Sequence, residues 1–249
     1  MPPKRIISLV PSQTELLFEL GLHDEIVGIT KFCVYPADRV KGKSIVGGTK
    51  TLTMERIHAL RPDLIIANKE ENTRAEIEYL QQHYPVHVTD MVTIADALAM
   101  IRNLGNLTGK QPEANDLIQR ITTSFLSMPG FSSQSVAYFI WRNPYMVAAN
   151  DTFIHSMLTQ AGFQNAFAQE TRYPEITLDT LKRAQPDLIF LSSEPYPFSQ
   201  KHIEEFQAIC PSAKVVLVDG EVFSWYGSRL LLAPDYFRKL RSEIERLFH

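Results

Sequence analysis

The residues that could do chemistry in this chain mostly sit at spacings that fail the corresponding motifs. Gly42-Lys43-Ser44 ends like a phosphate-binding loop, but the first glycine of that pattern would fall at Ala37, and only Tyr35-Pro36 stands where a long apolar strand is needed. No Gly-x-Gly-x-x-Gly follows a strand-like run, and no Gly-x-Ser-x-Gly elbow is present. His83 and His87 have His-x-x-x-His spacing, yet Pro85 between them prevents one helical face from presenting both. His155 lies beside Ile154 and Met157 in a helical pattern and reads as a packed or surface residue. No nucleophile stands at a readable spacing from a base, so the chain reads as a non-enzyme with no catalytic residues. No metal-ligand set is legible either, with Cys33, in a loop after a strand-like run, as the single candidate ligand.

What remains is aromatic and basic. Lys31-Phe32-Cys33-Val34-Tyr35-Pro36, Asn68-Lys69-Glu70-Glu71-Asn72, Trp141-Arg142-Asn143-Pro144-Tyr145, Ser192-Ser193-Glu194-Pro195-Tyr196-Pro197-Phe198 and Phe223-Ser224-Trp225-Tyr226-Gly227-Ser228-Arg229 each follow a strand-like run. Ligands of open α/β sheets bind at the carboxyl ends of strands. Aromatic faces with a few guanidinium or ammonium groups suit a large, flat, partly anionic ligand.

The elements that must position these loops alternate. Strands are expected at Arg5–Val10, Ile26–Thr30, Asp63–Ala67 and Val86–Thr89, with helices between them. Ser12-Gln13-Thr14-Glu15 has the spacing of a capping box opening the first helix. Helical patterns over Thr93–Leu107 and from Pro112 onward fill the middle of the chain. Beyond Pro129-Gly130 the alternation resumes, with strands at Ser135–Trp141, Tyr145–Ala148, Asp187–Ser192 and Lys214–Asp219 and helices at Thr152–Ala161, Leu178–Ala184, Gln200–Ile209 and Pro234–Phe248. Such alternation predicts parallel sheets covered by helices.

An internal repeat divides the chain. The segment from Leu52 through Pro62-Asp63-Leu64-Ile65 aligns without a gap on the segment from Ile176 through Pro186-Asp187-Leu188-Ile189, with Thr53 and Thr177 at matching helix starts. A duplicated unit is the reading. The fold class is therefore α/β with two Rossmann-like lobes, residues 1–108 and 131–249, joined by a linker over 109–130.

Composition narrows the partners. The 249 residues are 45% hydrophobic and 21% charged with a formal net charge of −3, which offers no basic excess for nucleic acid. No run approaches the ~18–20 apolar residues of a membrane span. The opening Met1-Pro2-Pro3-Lys4-Arg5 runs into only five apolar-type residues before Pro11, too few for a signal-peptide core. Two cysteines, Cys33 and Cys210, are too few for a disulfide scaffold.

Arg5-Ile6-Ile7-Ser8-Leu9-Val10-Pro11-Ser12-Gln13-Thr14-Glu15, Tyr35-Pro36, Val46-Gly47-Gly48 and the repeated Pro-Asp-Leu-Ile, with Asp151-Thr152-Phe153, Ala161-Gly162-Phe163, Tyr173-Pro174-Glu175 and Ser228-Arg229-Leu230 in the second half, resemble the helical-backbone (class III) substrate-binding proteins. These serve ABC importers of vitamin B12, siderophore-bound iron and haem, and the resemblance is closest to the cobalamin-binding branch. It implies two lobes bridged by one long helix, for which Pro112–Met128 is the candidate, with the ligand in the cleft between lobes. It implies a cobalamin, haem or ferric siderophore as transported ligand, with no cofactor. An ABC permease is the implied partner, the protein is expected as a monomer, and the periplasm is the implied compartment, with the cytoplasm as the alternative for a carrier or sensor of the same ligands. A two-lobed transferase is the third reading. The ligand contacts expected are Phe32, Tyr35, Lys50, Asn68, Lys69, Trp141, Arg142, Tyr173, Tyr196, Phe198, Trp225, Tyr226 and Arg229. Asn68 stands where cobalamin-binding relatives carry an aromatic, and Arg74 where they carry an acid.

Overall fold

The computed structural model describes residues 1–130 and 133–248, so the lobe start expected at residue 131 lies outside the described residues. The chain forms two compact units. The first contains Met1–Met91, Ala95–Thr122 and the short returning segment Tyr226–Arg229; the second contains Val92–Ile94, Thr123–Trp225 and the chain from Leu230 onward.

The first unit is built on a sheet of five parallel strands: β1 (Ile6–Ser8), β2 (Ile26–Ile29), β3 (Ser44–Ile45), β4 (Leu64–Asn68) and β5 (Val86–Thr89), in the order β3-β2-β1-β4-β5. β1 and β4 are buried at every position, as continuous apolar runs covered on both faces should be. Helices α1 (Pro11–Glu19), α2 (Met54–Leu60) and α3 (Arg74–Gln81) alternate with the strands, and α4 (Ile94–Thr108) and α5 (Gln111–Leu126) follow. Gly109, with φ of +74°, ends α4 in the left-handed conformation glycine accepts at least cost. The core gathers Ile7, Leu9, Val46, Ile57, Ile65, Ala67 and Leu80.

The second unit carries β6 (Gln134–Trp141), β7 (Met146–Val147), β8 (Phe163–Asn165), β9 (Leu188–Ser192) and β10 (Lys214–Val218). β10, β9 and β6 run parallel, while one edge of β6 is shared by β8, parallel to its first half, and β7, antiparallel to its end. Helices α6 (Phe153–Gln160), α7 (Leu178–Ala184), α8 (Gln200–Ile209), α9 (Gly220–Ser224) and α10 (Ala233–Phe248) complete it. Phe139, Leu191, Phe198 and Phe206 anchor a core that is more aromatic than that of the first unit.

The repeat is α2–β4 in one unit and α7–β9 in the other, and the structure supplies the reason for its aspartate. Asp63 accepts from the backbone N–H groups of Lys4 and Arg5, both at 2.8 Å, immediately before β1. Asp187 accepts from the N–H of Ser135 at 2.8 Å and from its hydroxyl at 2.9 Å, in the strand that neighbours β9. Each acid therefore aligns the start of the adjacent strand and satisfies donors that the ladder leaves over. Both helices also close on a left-handed residue, Arg61 at φ 45° and Gln185 at φ 42°, just before the proline.

Three local expectations are corrected. Ser12 does not cap α1: Val10 holds the cap position without a side-chain bond and Pro11 enters the first turn, where its missing N–H leaves nothing unsatisfied. β3 and β8 were not expected, because strands of two and three residues give no periodicity to detect. Phe223-Ser224 lies in α9, whose first turn is capped by Asp219 through the Glu221 N–H at 3.0 Å, so the stretch after β10 is helical before it becomes a loop.

Candidate functional site

In the first unit all five strands point the same way, so the loops after them share one edge. The β4 exit is held by buried asparagines. Asn68 Oδ1 accepts from the N–H groups of Glu70 (2.8 Å) and Glu71 (3.0 Å), and its Nδ2 donates to the Thr89 carbonyl at 3.0 Å. Asn72 Oδ1 accepts from the Asn68 N–H at 2.8 Å, and its Nδ2 donates to the Thr49 carbonyl at 3.0 Å. Asn68, 2% exposed, thus shapes the loop's own backbone; the expected ligand contact at this position is corrected to a structural role. The neighbouring lysines face outward: Lys69 pairs with Asp90 at 2.7 Å, and the Lys50 ammonium donates to the Glu70 carbonyl.

The β2 exit offers the aromatics of this unit. Phe32 is 50% exposed, lies against Gly48 at the β3 exit, and has the Lys31 ammonium 5.0 Å from its ring centroid. Tyr35 is 36% exposed, with the Arg229 guanidinium 4.3 Å from its ring centroid. Arg229 also donates two parallel hydrogen bonds to Glu15, both 3.0 Å, from a pair whose side chains are only 10% and 18% exposed. The chain can bring Arg229 there because Gly227, at φ +116°, passes close to α1: an added Cβ would stand 3.2 Å from Leu16 Cβ. Tyr226, beside it, is 6% exposed, so the expected open aromatic is a buried one.

Cys33 is the clearest correction. Its thiol is buried, with Sγ 3.1 Å from Thr14 Oγ1 and 3.2 Å from Thr30 Oγ1. Burial pushes its pKa up, outweighing those hydrogen bonds, which works against the thiolate form that a metal binds. Among the described residues no group of three or more His, Cys, Asp or Glu could hold a metal ion.

In the second unit the exits of β6 and β9 meet. The Trp141 and Tyr196 rings approach edge to face with centroids 5.6 Å apart, and Trp141 keeps 39% of its surface exposed. Arg142 donates to Glu205 through Nε at 3.0 Å and Nη2 at 2.9 Å, and the Tyr145 hydroxyl donates to the same carboxylate. Burial raises the Glu205 carboxyl, but the hydrogen bonds from Tyr145 and Arg142 and the Arg142 charge outweigh it and hold the pKa below its ordinary value. Tyr145 is pushed up to about 12 by burial and by this carboxylate. Glu194 accepts from the Ser224 hydroxyl at 2.7 Å and the Trp225 indole N–H at 2.9 Å.

Two expected contacts are placed differently. Trp225 is 8% exposed and Phe198 6% exposed; Phe198 packs in the core with Phe206, so neither presents an open face. Tyr173 lies on the segment running beside β7 through the Val147 N–H to Pro174 carbonyl and Ala149 N–H to Arg172 carbonyl bonds. The structure thus groups Trp141, Arg142 and Tyr196 in one unit, and Phe32, Tyr35, Lys50, Lys69 and Arg229 along the strand exits of the other. Sequence reasoning missed Glu15 and Glu205, the carboxylates facing the two arginines. Glu15 and Arg229 are 214 positions apart, and no local pattern joins them.

Two α/β units with aromatic, charge-paired strand exits are the arrangement in which open α/β sheets bind ligands. A family model described as periplasmic binding protein matches residues 6–209, and the chain belongs to that family. It is 28% identical over 242 residues to the vitamin B12-binding protein of Pectobacterium carotovorum subsp. carotovorum, covering 94% of this chain and 86% of that protein. The crystal structure of the periplasmic vitamin B12 binding protein of Vibrio cholerae superposes with a TM-score of 0.80 at 24% identity, over 98% of both chains. A periplasmic heme-binding protein solved with two hemes gives a TM-score of 0.83 at 25% identity, over 96% of this chain and 98% of that one.

Proposed function

We propose that this protein is a receptor for a large, flat metal–organic ligand, a corrinoid or an iron chelate such as haem, and that it delivers the ligand to an ABC-type permease in the periplasm. The observation that carries the reading is the set of aromatic rings left partly open at strand exits: Phe32 and Tyr35 in one unit, Trp141 in the other. Exposed aromatic surface costs solvation free energy unless something covers it, and a flat, π-faced ligand is the kind of molecule that covers such rings. Family membership and the vitamin B12-binding and heme-binding relatives support the same ligand class. The protein acts by binding and release without turnover, so ligand recovered after incubation has an unchanged mass.

Calorimetric titration with cyanocobalamin, ferric haem and ferric siderophores tests the proposal, with tryptophan fluorescence as a second readout. Binding of at least one at micromolar affinity or tighter is expected, with quenching that Trp141→Phe greatly reduces. No heat and no quenching with any of the three would refute it.

A further inference from the structure

Helix α8 opens with a histidine at the position where a capping box carries Glu or Gln. Ser199 is the N-cap and His202 the third residue of the helix. The Ser199 side chain accepts from the His202 backbone, and the Ser199 N–H donates back to His202 Nδ1 at 2.9 Å. An imidazole nitrogen that accepts a backbone N–H carries no proton, so the ring hydrogen belongs on Nε2, 3.3 Å from the Tyr196 hydroxyl. The residue is 3% exposed, and its ring meets Tyr196 and Phe198 edge to face, with centroids 5.6 and 5.4 Å away. Tyr196 in turn packs on Trp141, and its N–H reaches the Ile140 carbonyl at 3.3 Å. One histidine thus ties the start of α8 to the loop Ser193–Phe198, whose Tyr196 supports the open tryptophan.

From this geometry we infer that His202 is an acid-sensitive latch: protonation of Nδ1 sets two N–H groups against each other, frees the start of α8 and loosens Tyr196 from Trp141. A charged ring is disfavoured here in three ways. Its acceptor for the Ser199 N–H is gone, it stands in the first turn of a helix whose dipole opposes a cation, and it is shielded from water. The Ser199 hydroxyl, 3.3 Å from Nδ1, is already the acceptor for the helix's own N–H. The charged and titratable groups around the ring are Tyr196, Glu205 one turn on along α8, and the Arg142 and Tyr145 that bind Glu205. Glu205 attracts an imidazolium, but Arg142 engages the same carboxylate at 2.9–3.0 Å and offsets that attraction. Glu205 is held below its ordinary value and Tyr145 is pushed up to about 12. Neither therefore changes charge between about pH 5 and 8, the interval in which a histidine does. The latch is closed above that interval and opens as pH falls through it. On the receptor reading above, the same opening weakens the hold on a ligand lying against Trp141.

The whole chain without ligand tests this, so the result is independent of the receptor reading. Hydrogen exchange is followed by mass spectrometry at about pH 7.5 and 5.5, on peptides covering Tyr196–Ile203 and corrected for the intrinsic chemical rate. The parent protein is expected to exchange there about tenfold faster at the lower pH, the loss of one hydrogen bond. His202→Gln keeps a capping-box acceptor without a titrating group and is expected to hold that ratio within about twofold of unity. Nitrogen-15 NMR of the parent's histidine rings at the higher pH reads the tautomer directly, with the His202 proton expected on Nε2. Equal exchange at the two pH values in the parent, the same acceleration in His202→Gln, or a proton on Nδ1 at the higher pH overturns the inference.

Discussion

Glu15→Gln isolates the contact on which the Tyr35 region depends. The substitution keeps the side-chain volume and removes the charge that Arg229 faces through two 3.0 Å hydrogen bonds. Breaking a fully buried pair costs about 3–5 kcal/mol, whereas an exposed pair contributes about 0–1 kcal/mol. Side-chain exposures of 10% and 18% place this pair nearer the buried limit. The stranded guanidinium still has the Tyr35 ring at 4.3 Å, which retains about 0.5–2 kcal/mol of cation–π attraction. The expected net loss is about 2 kcal/mol, or roughly thirtyfold in the local opening equilibrium. Hydrogen exchange measured by mass spectrometry on peptides covering Pro11–Glu19 reads this directly, because α1 carries Glu15. The apolar double variant Glu15→Leu with Arg229→Met should recover most of the protection, since neither charge is then left alone. Exchange of α1 within about threefold of the parent protein in Glu15→Gln, or a double variant worse than the single one, would refute the reasoning.

Three further outcomes are expected. Asp63→Ala and Asp187→Ala should each destabilise their own unit by about 1–2 kcal/mol, with faster exchange at Lys4–Arg5 and at Ser135 respectively, because each removes two hydrogen bonds at a strand start. Cys33, whose folded pKa is raised by burial, stabilises the fold fully below the unfolded value of about 9 and loses that contribution as pH rises through the folded value. The native protein should therefore react with a thiol reagent at Cys33 far more slowly than the urea-unfolded chain at pH 8. Glu205, whose folded pKa is lowered, contributes stability above its ordinary value near 4.5 and loses it as pH falls through the folded pKa. An acid titration should then show Glu205→Gln less sensitive than the parent over that window.

Most of the architecture was legible in the sequence because it is written in local signals. Buried parallel strands need unbroken apolar runs, and Asp63–Ala67 and Asp187–Ser192 announced themselves that way. The proline and left-handed turn that end α2 and α7 made the repeat visible. Glycines at 109 and 162 marked helix ends that the structure places at Thr108 and Gln160. Composition and motif spacing alone also excluded the Walker loop, the dinucleotide fingerprint and a membrane-spanning helix.

The status of individual side chains was decided by tertiary structure. Trp141 and Trp225 look alike in sequence, each an aromatic in a polar stretch, yet one is 39% exposed and the other 8%. The difference arises because Trp225 follows α9 and turns its indole N–H to Glu194, a residue 31 positions away. Asn68 was displaced from the expected site for the same reason, enclosed by Thr89 from the neighbouring strand, and Phe198 was drawn into the second unit's core beside Phe206 and Phe139. The sequence by itself determined an α/β chain with a duplicated helix–strand unit and aromatic strand exits, since periodicity and turn chemistry are local. Which arginines carry a usable charge was settled only when folding brought Glu15 to Arg229 and Glu205 to Arg142, because an ion pair depends on distance in space and not on separation along the chain.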